Sequence, residues 1–312
     1  MTDRTIAVIG NGIIGHGIAE IFAAAGWQVR LIGRSKASLD GAIAKIAASL
    51  EAFQKHGLVS PKQRAAALAR IDLSTELDDA APAELVIEAV PEDMELKRDI
   101  FHRLDAMCDE TAILASSSGH LVSEIVDRVH GRGRVVATHF WYPPQLIPLV
   151  EVCGGPETAP DIVPRAVKIL REVGKEPVVI DKEVAGFIGN RIQFAALREA
   201  WSLWASGVAS AEAIDAVVRH SIGRRLGITG PIESADVGGL DTMHAFARFL
   251  QPDLDAAPLP PEAVKKLADA GHRGLPSGRG IYDWSKRDGA ALLAARREEL
   301  FRWLKADREA KA

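Results

Sequence analysis

Thr5-Ile6-Ala7-Val8-Ile9-Gly10-Asn11-Gly12-Ile13-Ile14-Gly15 is the stretch on which the fold turns. A short apolar run that stops at a glycine reads as a buried strand. Gly10, Gly12 and Gly15 keep the spacing of a turn that opens a helix at once, here an alanine-rich segment running to Ala25 and stopped by Gly26. A second apolar run, 28–32, completes a strand–helix–strand unit of about 30 residues, the context that gives this spacing a chemical meaning. Gly10 permits the tight turn, Gly12 lets the backbone approach a dinucleotide pyrophosphate, and Gly15 lets helix pack closely on strand. The helix N-terminus favours the negative charge. The alternative is a plain tight turn between strand and helix.

Nucleotide choice is read at the end of the second strand. An acidic residue there holds the ribose hydroxyls of NAD, but this chain reads Leu31-Ile32-Gly33-Arg34-Ser35. Without the carboxylate a 2′-phosphate is not repelled, and Arg34 and Ser35 supply charge and a hydroxyl to hold it. The expectation is NAD(P)(H), with NADP(H) favoured over NAD(H). The other reading lays Arg34 over the adenine face and leaves NAD usable.

Further out, strands and helices alternate: strand 85–90, helix 93–107, strand 112–116, helix 121–129, then apolar runs at 135–138, 149–153 and 178–180 with a helix at 162–173. Ser60 and Gln63 around Pro61 read as a capping box that opens another helix. Alternation of this kind argues a parallel, doubly wound α/β sheet of the Rossmann type. Beyond about residue 181 only helical patterns remain, at 186–205, 211–220, 240–250, 261–270 and 290–305. The expected division is a dinucleotide-binding Rossmann domain at 1–183 and a helical substrate-binding and dimerisation domain at 184–312.

The composition excludes several classes of function. The 312 residues are 47% hydrophobic and 26% charged, with a net charge of −4 and both signs interspersed, which is a poor surface for nucleic acid. Cys108 and Cys153 make no disulfide framework and neither has metal-ligand spacing, so no metal site is expected and the compartment reads as a reducing cytoplasm. No apolar run approaches 18 residues and the N-terminus opens on a strand, so neither a membrane span nor a signal peptide is expected.

His139 ends one strand and is followed by Phe140-Trp141-Tyr142-Pro143-Pro144, while Glu151 sits among valines in the next. A carboxylate inside an apolar strand is costly unless paired. A histidine partner would satisfy it and be held in one tautomer, as a general base needs. Two unrelated polar residues at strand ends are the other reading.

Taken together, the glycine loop, Val86-Ile87-Glu88-Ala89-Val90-Pro91-Glu92 with Lys97, the segment from His139 to Glu151, Gly186-Phe187-Ile188-Gly189-Asn190-Arg191 and Ser277-Gly278-Arg279-Gly280-Ile281-Tyr282-Asp283-Trp284 resemble the L-3-hydroxyacyl-CoA dehydrogenase family. The resemblance covers nearly the whole chain. It implies that His139 and Glu151 remove a hydroxyl proton while hydride leaves the same carbon, and that Ser118 and Asn190 hold the substrate oxygen. It also extends the cofactor site from Gly10, Gly12, Gly15, Gly33, Arg34 and Ser35 to Ile13, Ile14, Ala89, Val90, Glu92, Lys97 and Ser116. For Glu92 the alternative is an acid favoured by a helix N-terminus, and for Lys97 a solvated helix face.

Three positions depart from the family pattern: Tyr142 stands where an asparagine is usual, Ser116-Ser117-Ser118-Gly119-His120 replaces a more usual Ser-Asn-Thr-Ser-Ser, and Gly33 replaces the acid. His120 reads either as a substrate contact or as a surface loop histidine. The tail beyond Trp284 resembles the branch containing gulonate and carnitine dehydrogenases and the lambda-crystallins. Near Gln54-Lys55-His56 there is no lysine-rich strip for the negative charges of CoA. The expectation is therefore an NAD(P)-dependent oxidoreductase acting on the 3-hydroxy or 3-keto carbon of a 3-hydroxyacyl-CoA or free 3-hydroxy acid, leaning to the acid. The alternatives are an aldehyde-oxidising relative acting on a hydrated aldehyde, or a non-catalytic nucleotide-binding, crystallin-like protein. Trp201, Leu203, Trp204, Phe246, Phe249 and Leu250 on the later helices suggest a homodimer through the helical domain, or else that domain's own core.

Overall fold

β1 (Thr5–Ile9) alternates its burial partners along the sheet. Ile6 and Val8 face one core, with Ile18 and Phe22 of α1 (Gly15–Ala24). Ala7 and Ile9 face the other core, with Phe101 and Leu104. A strand covered on both faces must be apolar at every position, which is why its sequence shows no polar alternation. The computed structural model describes residues 4–311.

The chain continues through β2 (Gln28–Ile32), α2 (Lys36–Lys55), α3 (Pro61–Ala69), β3 (Ile71–Ser74), β4 (Leu85–Glu88), α4 (Met94–Met107) and β5 (Ile113–Ser116). Then come α5 (Val122–Ile125), β6 (Val135–Phe140), β7 (Leu149–Gly154), α6 (Ile162–Glu172) and β8 (Glu176–Val179). The sheet order is β3-β2-β1-β4-β5-β6-β7-β8, so consecutive strands depart in opposite directions from β1 and β4 and leave a crevice at their C-terminal ends. The capping box at Ser60 is present with both bonds made.

The structure differs from the sequence reading in four places. β7 runs antiparallel to β6; a loop of some eight residues, 141–148, is too short for a parallel crossover, which needs roughly a dozen or more. β3, a short edge strand with Leu73 partly exposed, carries too weak a pattern to be read. The helix expected at 121–129 is one α turn followed by a 3-10 turn, Val126–Arg128, a tightening that keeps Val122, Ile125, Val126 and Val129 all buried. The domain division also differs at the tail. One compact unit runs to Phe187 and includes the segment from Arg296 onward, and the other is Ile188–Ala295. The tail belongs with the sheet because Phe301 is buried against Phe53 and Leu146, with Leu300 and Leu304 beside it.

The second unit is helical: most of α7 (Phe187–Ala205), then α8 (Ala211–His220), α9 (Ile222–Arg225), α10 (Pro231–Gly238), α11 (Leu240–Leu250), α12 (Glu262–Asp269) and the start of α13 (Gly289–Lys311). None of α8 to α12 contains a fully buried residue.

Candidate active site

The glycine loop leaves β1 at the crevice. Gly10 has φ 103°, and a Cβ there would meet the Ala89 carbonyl oxygen at 2.5 Å. At Gly15 a Cβ would collide with the Gly10 carbonyl, whereas at Gly12 nothing lies within 4 Å. The loop is thus closed toward the protein and open toward solvent at Gly12 and Ile13, with Ile14 half-buried behind them, the shape a pyrophosphate cradle requires. His16, on the first turn of α1, bonds the Gly12 carbonyl through Nδ1 at 2.6 Å. Burial lowers its pKa, so the ring is neutral at pH 7 and that nitrogen donates. Sequence reading missed His16, and its one signal was a polar residue within an otherwise apolar helix start.

Gly33 follows β2 beside this loop. A Cβ there would press on the Asn11 side chain at 2.8 Å and on Leu39 at 2.9 Å, so close packing is itself a reason for glycine. Arg34 and Ser35 are exposed. Ser35 caps α2, its hydroxyl accepting from the Ser38 amide.

At the ends of β4 and β5 a polar ring closes on itself. Lys97 Nζ lies 2.9 Å from Glu88 Oε1 and 3.6 Å from Glu92 Oε2. The Ser116 hydroxyl donates to Glu88 Oε2 at 2.7 Å and lies 3.2 Å from Ser118 Oγ. Ser118 Oγ accepts from the His120 amide, and the His120 ring returns to Glu92 at 3.2 Å. Glu88 and Lys97 are fully buried, so Lys97 is not a solvated surface residue. Glu92 does not serve the start of α4 either; Asp93 caps that helix and Glu95 is the acid of its first turn. His120 is a partly exposed histidine tied to Glu92 and Glu124. Glu88 was missed, although an acid closing an apolar strand needs a partner by the same argument that singled out Glu151. Ala89 and Val90 lie half-buried beyond it, and the Val90 amide donates to Glu88 Oε1.

His139 and Glu151 are directly opposite residues of the antiparallel β6–β7 ladder. Their side chains therefore share a face, and Nδ1 lies 2.8 Å from Oε2 with the carboxylate almost fully buried. Two aromatic rings enclose the histidine: Phe187 stacks on it with centroids 5.2 Å apart, and Trp141 meets it edge-on at 5.8 Å. The Trp141 indole N–H also donates to Glu151 Oε2, at 3.1 Å. Phe187 holds a left-handed backbone, φ 53°, a conformation costing about 1–3 kcal/mol that persists where surrounding structure enforces it. The β5–β6 register pairs Ser116 with Ala137, and Ser118 follows β5 in a bend, buried and bonded to Ser116 and the His120 amide. Asn190 lies on the first turn of α7, in the helical unit. Among the described residues, no three His, Cys, Asp or Glu side chains gather as metal ligands, and no helix is long and apolar enough to cross a membrane.

The 3-hydroxyacyl-CoA dehydrogenase NAD binding domain matches residues 5–184, and the family's C-terminal domain matches 186–284. The chain belongs to the 3-hydroxyacyl-CoA dehydrogenase family. It is an oxidoreductase of that family and carries the family's NAD binding domain. A 5-formyl-3-hydroxy-2-methylpyridine 4-carboxylate 5-dehydrogenase from Mesorhizobium japonicum is 32% identical over 95% of this chain and 96% of its own. An L-carnitine dehydrogenase from Streptomyces griseus is 35% identical over 90% of this chain and 85% of its own. Among solved structures, an FHMPC 5-dehydrogenase described as an NAD+ dependent dismutase superposes with a TM-score of 0.89 at 31% identity, covering 97% of this chain and 99% of its own. Family membership accounts for the glycine cradle and the sheet order.

Proposed function

We propose that this family member oxidises the hydroxyl-bearing carbon of a small 3-hydroxy acid, or reduces the matching ketone, with His139 as the proton carrier. The buried, cross-strand His139–Glu151 pair carries this reading. With Nδ1 donating to Glu151, Nε2 of the neutral ring is the acceptor left for a substrate hydroxyl proton. The carboxylate then stabilises the imidazolium, and the Ser118 hydroxyl donates to the substrate oxygen as its charge changes. Asn190 shares that task on the strength of the resemblance. Bound nicotinamide supplies the hydride acceptor.

A free acid is favoured over a thioester because Lys55, the basic group nearest the position a CoA phosphate would want, is already paired with Glu51 at 2.9 Å. A second reading, oxidation of a hydrated aldehyde, is favoured by the full-length similarity to the formyl-pyridine dehydrogenase and by the aromatic surroundings of His139. The gem-diol hydroxyl would meet the same dyad. His139→Ala should lower kcat by about 10²–10⁴-fold, the usual contribution of a general base, and leave nucleotide affinity within twofold. Initial rates are read with 3-hydroxybutyryl-CoA, its free acid and an aromatic aldehyde in parallel. Retained turnover in the variant would remove the dyad from the mechanism.

NADP(H) is proposed as the favoured nucleotide. Arg34 is exposed and has no ion-pair partner among the described residues. Ser35 keeps its hydroxyl proton free while capping, and the 20-residue α2 directs its N-terminal dipole at the same spot. A second copy of the chain is proposed to bind the helical unit, where Phe246 and Phe249 are 63% and 72% exposed.

A further inference from the structure

We infer that Trp141 is a positioning residue of the dyad, holding Glu151 in place and restraining the basicity of His139 through its indole N–H. The inference rests on the dyad reading above and deepens it. Trp141 is the second residue after His139, at the mouth of the β6–β7 connection, and its Nε1 lies 3.1 Å from the same Glu151 oxygen that His139 Nδ1 approaches at 2.8 Å. Two donors on one buried carboxylate oxygen have two consequences. The carboxylate cannot rotate without losing both, so the plane in which it meets the imidazole is fixed. Its negative charge is also shared, because the indole and the imidazole compete for the same oxygen. Phe187 stacks on the ring, so the histidine is held on its face by one aromatic and through its partner by the other.

Phenylalanine would fill much of the same space without the donor, and Glu151 would lose the indole bond while keeping its bond to His139. The charged groups at the ends of the flanking strands are engaged among themselves, Glu88 with Lys97, and His120 with Glu92 and Glu124. A change at Trp141 leaves those pairs intact, so an altered His139 titration reports the indole bond.

The test needs no substrate. The His139 imidazole is titrated by nitrogen NMR in ligand-free protein, its resonance identified by its loss in His139→Gln. Trp141→Phe should raise the midpoint by roughly 0.5–1 pH unit, since about that much charge stabilisation moves from indole to imidazolium. In a Glu151→Gln background the same substitution should move the midpoint by less than about 0.2 unit, because the shared carboxylate is gone. An unchanged midpoint in Trp141→Phe, or an equal shift in both backgrounds, would overturn the inference. Should Trp141→Phe fold poorly, benzothienylalanine at position 141 replaces N–H by sulfur in the same ring shape and should give the same upward shift. Turnover of His139→Ala tests the dyad reading separately, so the two failures remain distinct.

Discussion

Arg34 and Gly33 show what one residue can and cannot say about nucleotide choice. The missing acid was legible in the sequence, and so was the cation beside it. The sequence could not show that Gly33 is pressed against Asn11 and Leu39, which gives the glycine a packing role independent of any phosphate. The residue on which the proposed NADP(H) preference is tested is therefore Arg34. Arg34→Ala should weaken NADP(H) binding by about tenfold, the worth of one charge-assisted contact to phosphate, while NAD(H) affinity changes less than twofold. Equal losses for both nucleotides in a binding titration would instead place the guanidinium over the adenine. Lys97 and Glu88 teach the converse lesson. Both occupy positions a pattern reader assigns to surface or strand end, yet they form a fully buried pair, and only the ring through Ser116, Ser118, His120 and Glu92 explains why they can be there.

Among elements, the β6–β7 hairpin is the informative one. Twelve residues separate His139 from Glu151, and an antiparallel register converts that separation into a facing pair. The loop between them is anchored from below. Lys175 Nζ donates to the carbonyls of Pro144 and Ile147, and Gln145 reaches Ser49, whose hydroxyl donates to Glu20 on α1. Gly17 has no side chain because Pro144 and Gln145 occupy that space. Burial, opposed by the Ser49 bond and by Lys175, pushes the Glu20 acid up to about 8. Burial and then Arg308 push the Lys175 amine down to about 7. Between an unfolded-state value of 4.5 and a folded one near 8, the unfolded chain releases the Glu20 proton first, so this group costs stability as pH rises through that window. Glu20→Gln should leave Tm within about 1 °C of the parent at pH 5 and raise it by roughly 4 °C or more at pH 8.5, given that each kcal/mol is worth about 2–4 °C or less in a chain this long. Equal Tm differences at the two pH values, measured by calorimetry, would show that Glu20 ionises as freely folded as unfolded.

For the molecule as a whole, the helical unit poses the main question. Trp201, Leu203 and Trp204 are half-buried on α7, whereas Phe246, Phe249 and Leu250 of α11 stand exposed. These exposed apolar side chains are what the proposed dimer would bury. Sedimentation should give about 67 kDa, twice the 33.5 kDa of the chain. Phe249→Glu should shift it toward the monomer, and a parent sedimenting at single-chain mass would end the proposal. The strand–helix alternation, the glycine cradle and the helical second half were determined by sequence alone, because period, glycine spacing and capping are local properties that neighbouring residues enforce on one another. Three things were decided only by tertiary structure: the antiparallel turn that makes His139 face Glu151, the return of the tail to the sheet through Phe301, and the second donor that Trp141 gives to the buried carboxylate. Each depends on which distant surfaces meet, and burial selects those meetings only after the local elements have formed.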